Sequence, residues 1–94
     1  MKLDFNFDLV GLDGEVVRDL KDQTVNAGKV LANALAQQSK GDALKFWDWA
    51  VNLNKGEILD LDSSDQETIK NFIKDSEGFT ILAKAQLLQV LKKD

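Results

Sequence analysis

The stretch richest in chemically capable side chains is Asp60-Leu61-Asp62-Ser63-Ser64-Asp65-Gln66-Glu67. Asp60, Asp62 and Ser64 fall at positions 1, 3 and 5 of an EF-hand calcium loop. That loop also needs glycine at position 6 and a bidentate glutamate at position 12, and here Asp65 and Asn71 stand there. The same residues fit the start of a helix. Ser63 with Gln66, or Ser64 with Glu67, makes the reciprocal pairing of a capping box, and carboxylates suit the positive end of a helix dipole. No metal is therefore expected, and folding should not depend on calcium.

Other chemistry runs short of parts. The chain has neither cysteine nor histidine, which removes thiolate nucleophiles, imidazole bases, disulfides and the usual zinc ligands together. The remaining carboxylates have no companion base in a recognisable constellation. The six glycines sit one per boundary, except Gly28 within a helix, where it reads as a crossing point; none builds a phosphate-cradling loop. No catalytic residue and no cofactor is expected.

Composition sets the frame in which these residues must be held. With 94 residues, 44% hydrophobic and 30% charged, residues 1–94 form one domain with one core. No apolar run is long enough for a membrane span, and the N-terminus alternates charge with hydrophobe, unlike a signal peptide. A cytoplasmic location without membrane association is expected. The net charge of −4 is uneven: residues 57–77 hold seven acids against Lys70 and Lys74. Nucleic-acid binders carry a basic stripe instead, so no direct nucleic-acid contact is expected.

The elements follow from periodicity and punctuation. Leu3, Phe5, Phe7 and Leu9 alternate with polar residues, the pattern of a strand with one buried face. Asp13-Gly14 signals a turn and Glu15–Leu20 a returning strand, so residues 2–20 read as a β-hairpin. Asp22 or Thr24 can cap a helix over about 25–39, with Ala27, Val30, Leu31, Ala34 and Leu35 on its apolar face and Ala32 and Ala36 on a second, closely approachable side. Gly41 reads as its left-handed stop. Further helices are expected over about 42–53, 64–76 and 80–92, the last capped by Thr80 and ending in lysines. The segment Glu57–Leu61 is a connector or a third strand. No internal repeat is visible. The fold class is α+β: an N-terminal β-hairpin packed on a bundle of about four short helices.

Three of the seven aromatics (five Phe and two Trp) fall in Lys45-Phe46-Trp47-Asp48-Trp49-Ala50. On a wheel centred at Phe46, apolar residues from Trp49 and Leu53 round to Val51 and Leu44 cover roughly 220°. This predicts a central helix with Phe46 and Trp47 inside and Trp49 on the rim, as partner contact or core shield. In the last helix the arc from Val90 through Ala83, Leu87 and Leu91 and on to Leu88, Ile81 and Ala85 is wider than one core contact needs, and only Lys84 interrupts it. Leu87 and Leu91 therefore read as a partner or self-association surface, or as ordinary core.

Three segments, Lys2–Val17, Asn26–Glu57 and Leu82–Lys93, together resemble a family of small phage- and prophage-encoded proteins, and the resemblance covers most of the chain. It implies a non-enzymatic accessory or assembly protein in the host cytoplasm, similar in role to tail assembly chaperones. The expected function is protein–protein interaction, with a protein partner or a second copy, through a surface including Trp49, Leu87 and Leu91. The alternative is an acidic inhibitor that occupies the basic groove of a host nucleic-acid enzyme with its 57–77 face.

Overall fold

A computed structural model describes residues 2–92. The order of elements is β1 (Lys2–Leu3), α1 (Ala27–Ala36), α2 (Ala43–Asn54), β2 (Leu59–Asp60), α3 (Ser63–Asp75) and α4 (Ile81–Lys92). The α+β class and the four helices match the sequence reading. Lys93, part of the basic terminus invoked for the last helix, lies outside the described residues.

The N-terminal hairpin over 2–20 does not form. The alternation is real, since Leu3, Phe5 and Leu9 are buried and Phe7 is half-buried. The pairing partner is different: β1 runs antiparallel to β2, with Lys2 opposite Asp60 and Leu3 opposite Leu59. Periodicity reports that one face is buried and is silent on which segment lies alongside. The Glu57–Leu61 segment thereby becomes the strand partner.

Residues 8–26 instead make two consecutive bridged loops of the same design. Leu9 N–H donates to the Val25 carbonyl (2.8 Å), Val17 N–H to the Leu9 carbonyl (2.8 Å) and Val25 N–H to the Val17 carbonyl (3.0 Å), closing a ring of three hydrogen bonds. The bridges Val10–Val16, Arg18–Thr24 and Asp8–Asn26 flank that ring. In each loop a tight turn is closed by the same bond, Gly14 N–H to the Gly11 carbonyl and Asp22 N–H to the Asp19 carbonyl, both 3.0 Å. Each turn then enters the left-handed region, at Gly14 (φ 82°) and Asp22 (φ 61°). The spacing of eight residues is a structural repeat, contrary to the sequence reading. Aligned over the two loops, only Leu12 with Leu20 and Val17 with Val25 are identical, and Leu12 and Leu20 stand fully exposed at the turns. Gln86 of α4 fastens the first loop: its Oε1 accepts from Val10 N–H (2.9 Å) and its Nε2 donates to the Val10 carbonyl (2.7 Å).

The helices start where short polar side chains can satisfy free amides. Asn26, Asp42 and Asp62 accept from Lys29, Lys45 and Asp65 N–H, and Thr80 Oγ1 accepts from Ala83 N–H. The capping residues for α1 and α3 are thus Asn26 and Asp62, in place of Asp22 or Thr24 and of Ser63 or Ser64. Helix α1 stops at Ala36, three residues short of expectation, because Gln37–Lys40 offers nothing apolar to bury. Gly28 does mark a close approach: a Cβ there would meet the Phe5 carbonyl at 3.2 Å and the Leu53 carbonyl at 3.3 Å.

One core joins these elements, with Leu31 and Leu35 from α1, Leu53 from α2, Ile69 and Ile73 from α3 and Leu87 from α4. An aromatic chain of one buried ring, Trp49, and three half-buried ones packs along its edge. Trp49 stacks on Phe46 (centroids 5.7 Å apart, planes at 28°), Phe46 meets Phe72 edge-on at 5.9 Å, and Phe72 meets Phe79 edge-on at 6.2 Å. Such offset and edge-to-face geometries are the favourable ones for aromatic quadrupoles.

Candidate functional site

Helix α2 settles which of its aromatics face inward. Trp49 is 6% exposed, whereas Trp47 is 63% exposed and Leu44 84%. The expected order is reversed: Trp47, read as interior, and Leu44 face solvent, and Trp49, read as rim, is interior, because the core packs on the half of the apolar arc around Trp49, Leu53, Phe46 and Ala50. Two of the three residues read as a partner surface are therefore interior: Trp49 is stacked on Phe46, and Leu87 is fully buried. Leu91 is half-buried against the core. They lie on two helices and do not come together as a surface. The exposed large hydrophobic residue on α4 is Ile81, at the end of the apolar arc away from Leu87, with Ala85 and Gln89 exposed along the same side. Lys84 is also not simply snorkelling, because its Nζ donates to the Lys74 carbonyl at the end of α3 (3.1 Å).

The surface that sequence reasoning missed is built by α1 and α2 together. Leu44, Trp47 and Val51 recur at the i, i+3, i+7 spacing that aligns one helical stripe. Beside Trp47 lies a shallow groove of about 250 Å³, walled by Ala32 and Ala36 of α1 and by Trp47, Ala50 and Val51 of α2, with Lys55 at its end. A smaller depression of about 90 Å³ shares Ala36 and Trp47 and continues past Gly41 to Lys40. Trp47 is thus a ridge in a trough that runs from Lys55 to Lys40. The alanines give this trough its depth, since a larger side chain at Ala32 or Ala36 would fill it. The missed signal was the outer half of the arc, joined to the small-residue side of α1.

A second apolar hollow, of about 580 Å³, lies between the first bridged loop and α4, bounded by Val10, Leu12, Ile81, Leu82 and Ala85. It has no charged residue in its lining, so nothing there distinguishes one apolar occupant from another.

The acidic segment is partly occupied within the molecule. Asp62 caps α3, and Asp65 Oδ1 accepts from Lys45 Nζ at 2.8 Å. The Asp65 hydrogen bond, followed by its negative charge, holds the Lys45 ammonium above its ordinary pKa. Among the described residues there is no group of carboxylates placed to hold a metal ion, and no polar or charged residue is buried. No helix among them is long and apolar enough to cross a membrane. No protein-family model, curated protein or solved structure matches the chain.

Proposed function

We propose that this chain is a non-enzymatic protein-interaction module, of the accessory or assembly type that its resemblance to small phage proteins implies, and that it docks a protein partner across the α1–α2 face. One observation carries this reading: Trp47 stands exposed on the wall of an alanine-lined trough, and the exposed Leu44 lies one turn before it on the same helical stripe. Burying a large apolar side chain restores free energy in proportion to the area removed from water, and tryptophan is the residue most enriched at binding hot spots. Neither residue supports the core, so folding alone does not account for their size. Against the alternative of an acidic inhibitor stand the tasks of Asp62 and Asp65, whose carboxylates already serve a helix cap and an ion pair.

The test is affinity capture from the source cell with the native chain beside Trp47→Asp and Leu44→Asp. Both variants should stay folded, with midpoints lowered by no more than about 10 °C, because the sites are largely exposed, and both should lose the partner that the native chain retains. A partner held equally by the variants, or none held by the native chain, refutes docking on this face.

A further inference from the structure

The charge around the trough is opposite to that of the molecule. Residues 27–56 carry four lysines (Lys29, Lys40, Lys45 and Lys55) against Asp42 and Asp48, although the whole chain has a net charge of −4. Lys45 is held by Asp65, and the Asp42 carboxylate caps α2. The charges left to face a visitor are Lys29, Lys40 and Lys55, with Asp48 on the outer flank of the stripe. Lys55 and Lys40 belong to the trough itself, at opposite ends of the apolar floor.

We infer that the occupant of this trough is an acidic amphipathic helix of a partner protein. The inference rests on the docking role proposed above and adds the chemistry of the partner. The larger hollow is walled by two helices whose backbone groups are bonded internally, and the smaller by those helices and the Gln38–Gly41 loop, so the trough offers no strand edge for an extended peptide to pair with. An occupant lying on an apolar floor must satisfy its own backbone, and a helix does so. A groove between two packed helices is also the shape into which a third helix ridge fits. The partner helix should therefore present small or aliphatic side chains over Ala32 and Ala36, flank Trp47, and carry carboxylates toward both ends, where Lys40 and Lys55 stand. Each exposed lysine contributes little affinity, so the charges act mainly on partner choice and encounter rate.

Two synthetic helical peptides with the same leucine–alanine face test this, one flanked by glutamates and one by lysines. Binding is measured by calorimetry, and protection of Trp47 from acrylamide quenching locates it. The glutamate peptide should bind at least about tenfold more tightly at low salt, the gap should narrow as salt rises, and Lys40→Glu with Lys55→Glu should reverse the preference in a protein of unchanged thermal midpoint. Equal binding, a preference for the lysine peptide, or no binding by either overturns the inference. So does sedimentation showing that the chain pairs with itself through Leu44 and Trp47, which would make a second copy the occupant. A photo-crosslinking residue at position 44 separates the two levels. Crosslinks to a partner segment without carboxylates refute the acidic chemistry and leave docking intact, whereas capture that survives Trp47→Asp and bypasses position 44 removes docking as well.

Discussion

Two tryptophans two residues apart should answer very differently to the same substitution. Trp49 is 6% exposed and stacked on Phe46 at 5.7 Å, so Trp49→Ala removes a large core side chain at a cost of about 3–5 kcal/mol. In a domain of this size each kcal/mol moves the midpoint by roughly 4–8 °C, so Tm should fall on the order of 20 °C. Trp47 is 63% exposed, leaving about a third of its surface covered. Taking about 250 Å² for a tryptophan, that is about 90 Å², or about 2 kcal/mol at about 25 cal/mol per Å². The unfolded chain already covers part of this area, and alanine is a better helix former by some tenths of a kcal/mol. The net expectation for Trp47→Ala is about 1 kcal/mol. Urea titration followed by far-ultraviolet circular dichroism checks both, because it does not rely on the indoles that are being removed, and an unchanged m-value shows that the midpoints report stability. If Trp47→Ala costs as much as Trp49→Ala, Trp47 supports the core and the trough is not a free surface.

Three further outcomes are expected. Gly14→Ala should lose about 1 kcal/mol, because position 14 lies at φ 82°, whereas Asp22→Gly at φ 61° should be neutral or stabilising by up to about 1 kcal/mol; thermal melts compare the pair, and the opposite signs would refute the equivalence of the two loops. Gln86→Ala removes both hydrogen bonds to the Val10 backbone, costing about 1–2 kcal/mol, and the Val10 amide should exchange faster with solvent than in the native chain; unchanged exchange would show that the first loop is held without α4. The Lys45–Asp65 pair acts at alkaline pH: Lys45 is raised above 10.5, so its contribution is complete below that pH and is lost as pH rises through the higher folded value. Asp65→Asn should abolish that alkaline loss, and a wild-type profile in the variant would refute the coupling.

Much of the fold was legible because it depends on local physics. The four helices and the α+β class follow from residue types and their spacing. Thr80 was readable as a cap, and Asp42 as a helix start, because a short oxygen-bearing side chain satisfies amides two or three residues away. The alternation of Leu3, Phe5 and Leu9 likewise announced a buried face.

Tertiary structure decided everything that needed a second segment. Nothing within residues 2–9 indicates that β1 pairs with Leu59–Asp60 and not with residues 15–20, because register and partner are set by packing between distant pieces of chain. The eight-residue repeat escaped notice for a related reason: main-chain bonds and two left-handed turns build it, and Gly14 and Asp22 adopt the same conformation with unlike side chains. The wheel gave the width of the α2 arc, yet a wheel has no outside reference and cannot say which half meets the core. Packing turned Trp49 inward onto Phe46 and left Trp47 and Leu44 to solvent, and the trough exists only where the outer half of α2 lies beside the alanines of α1.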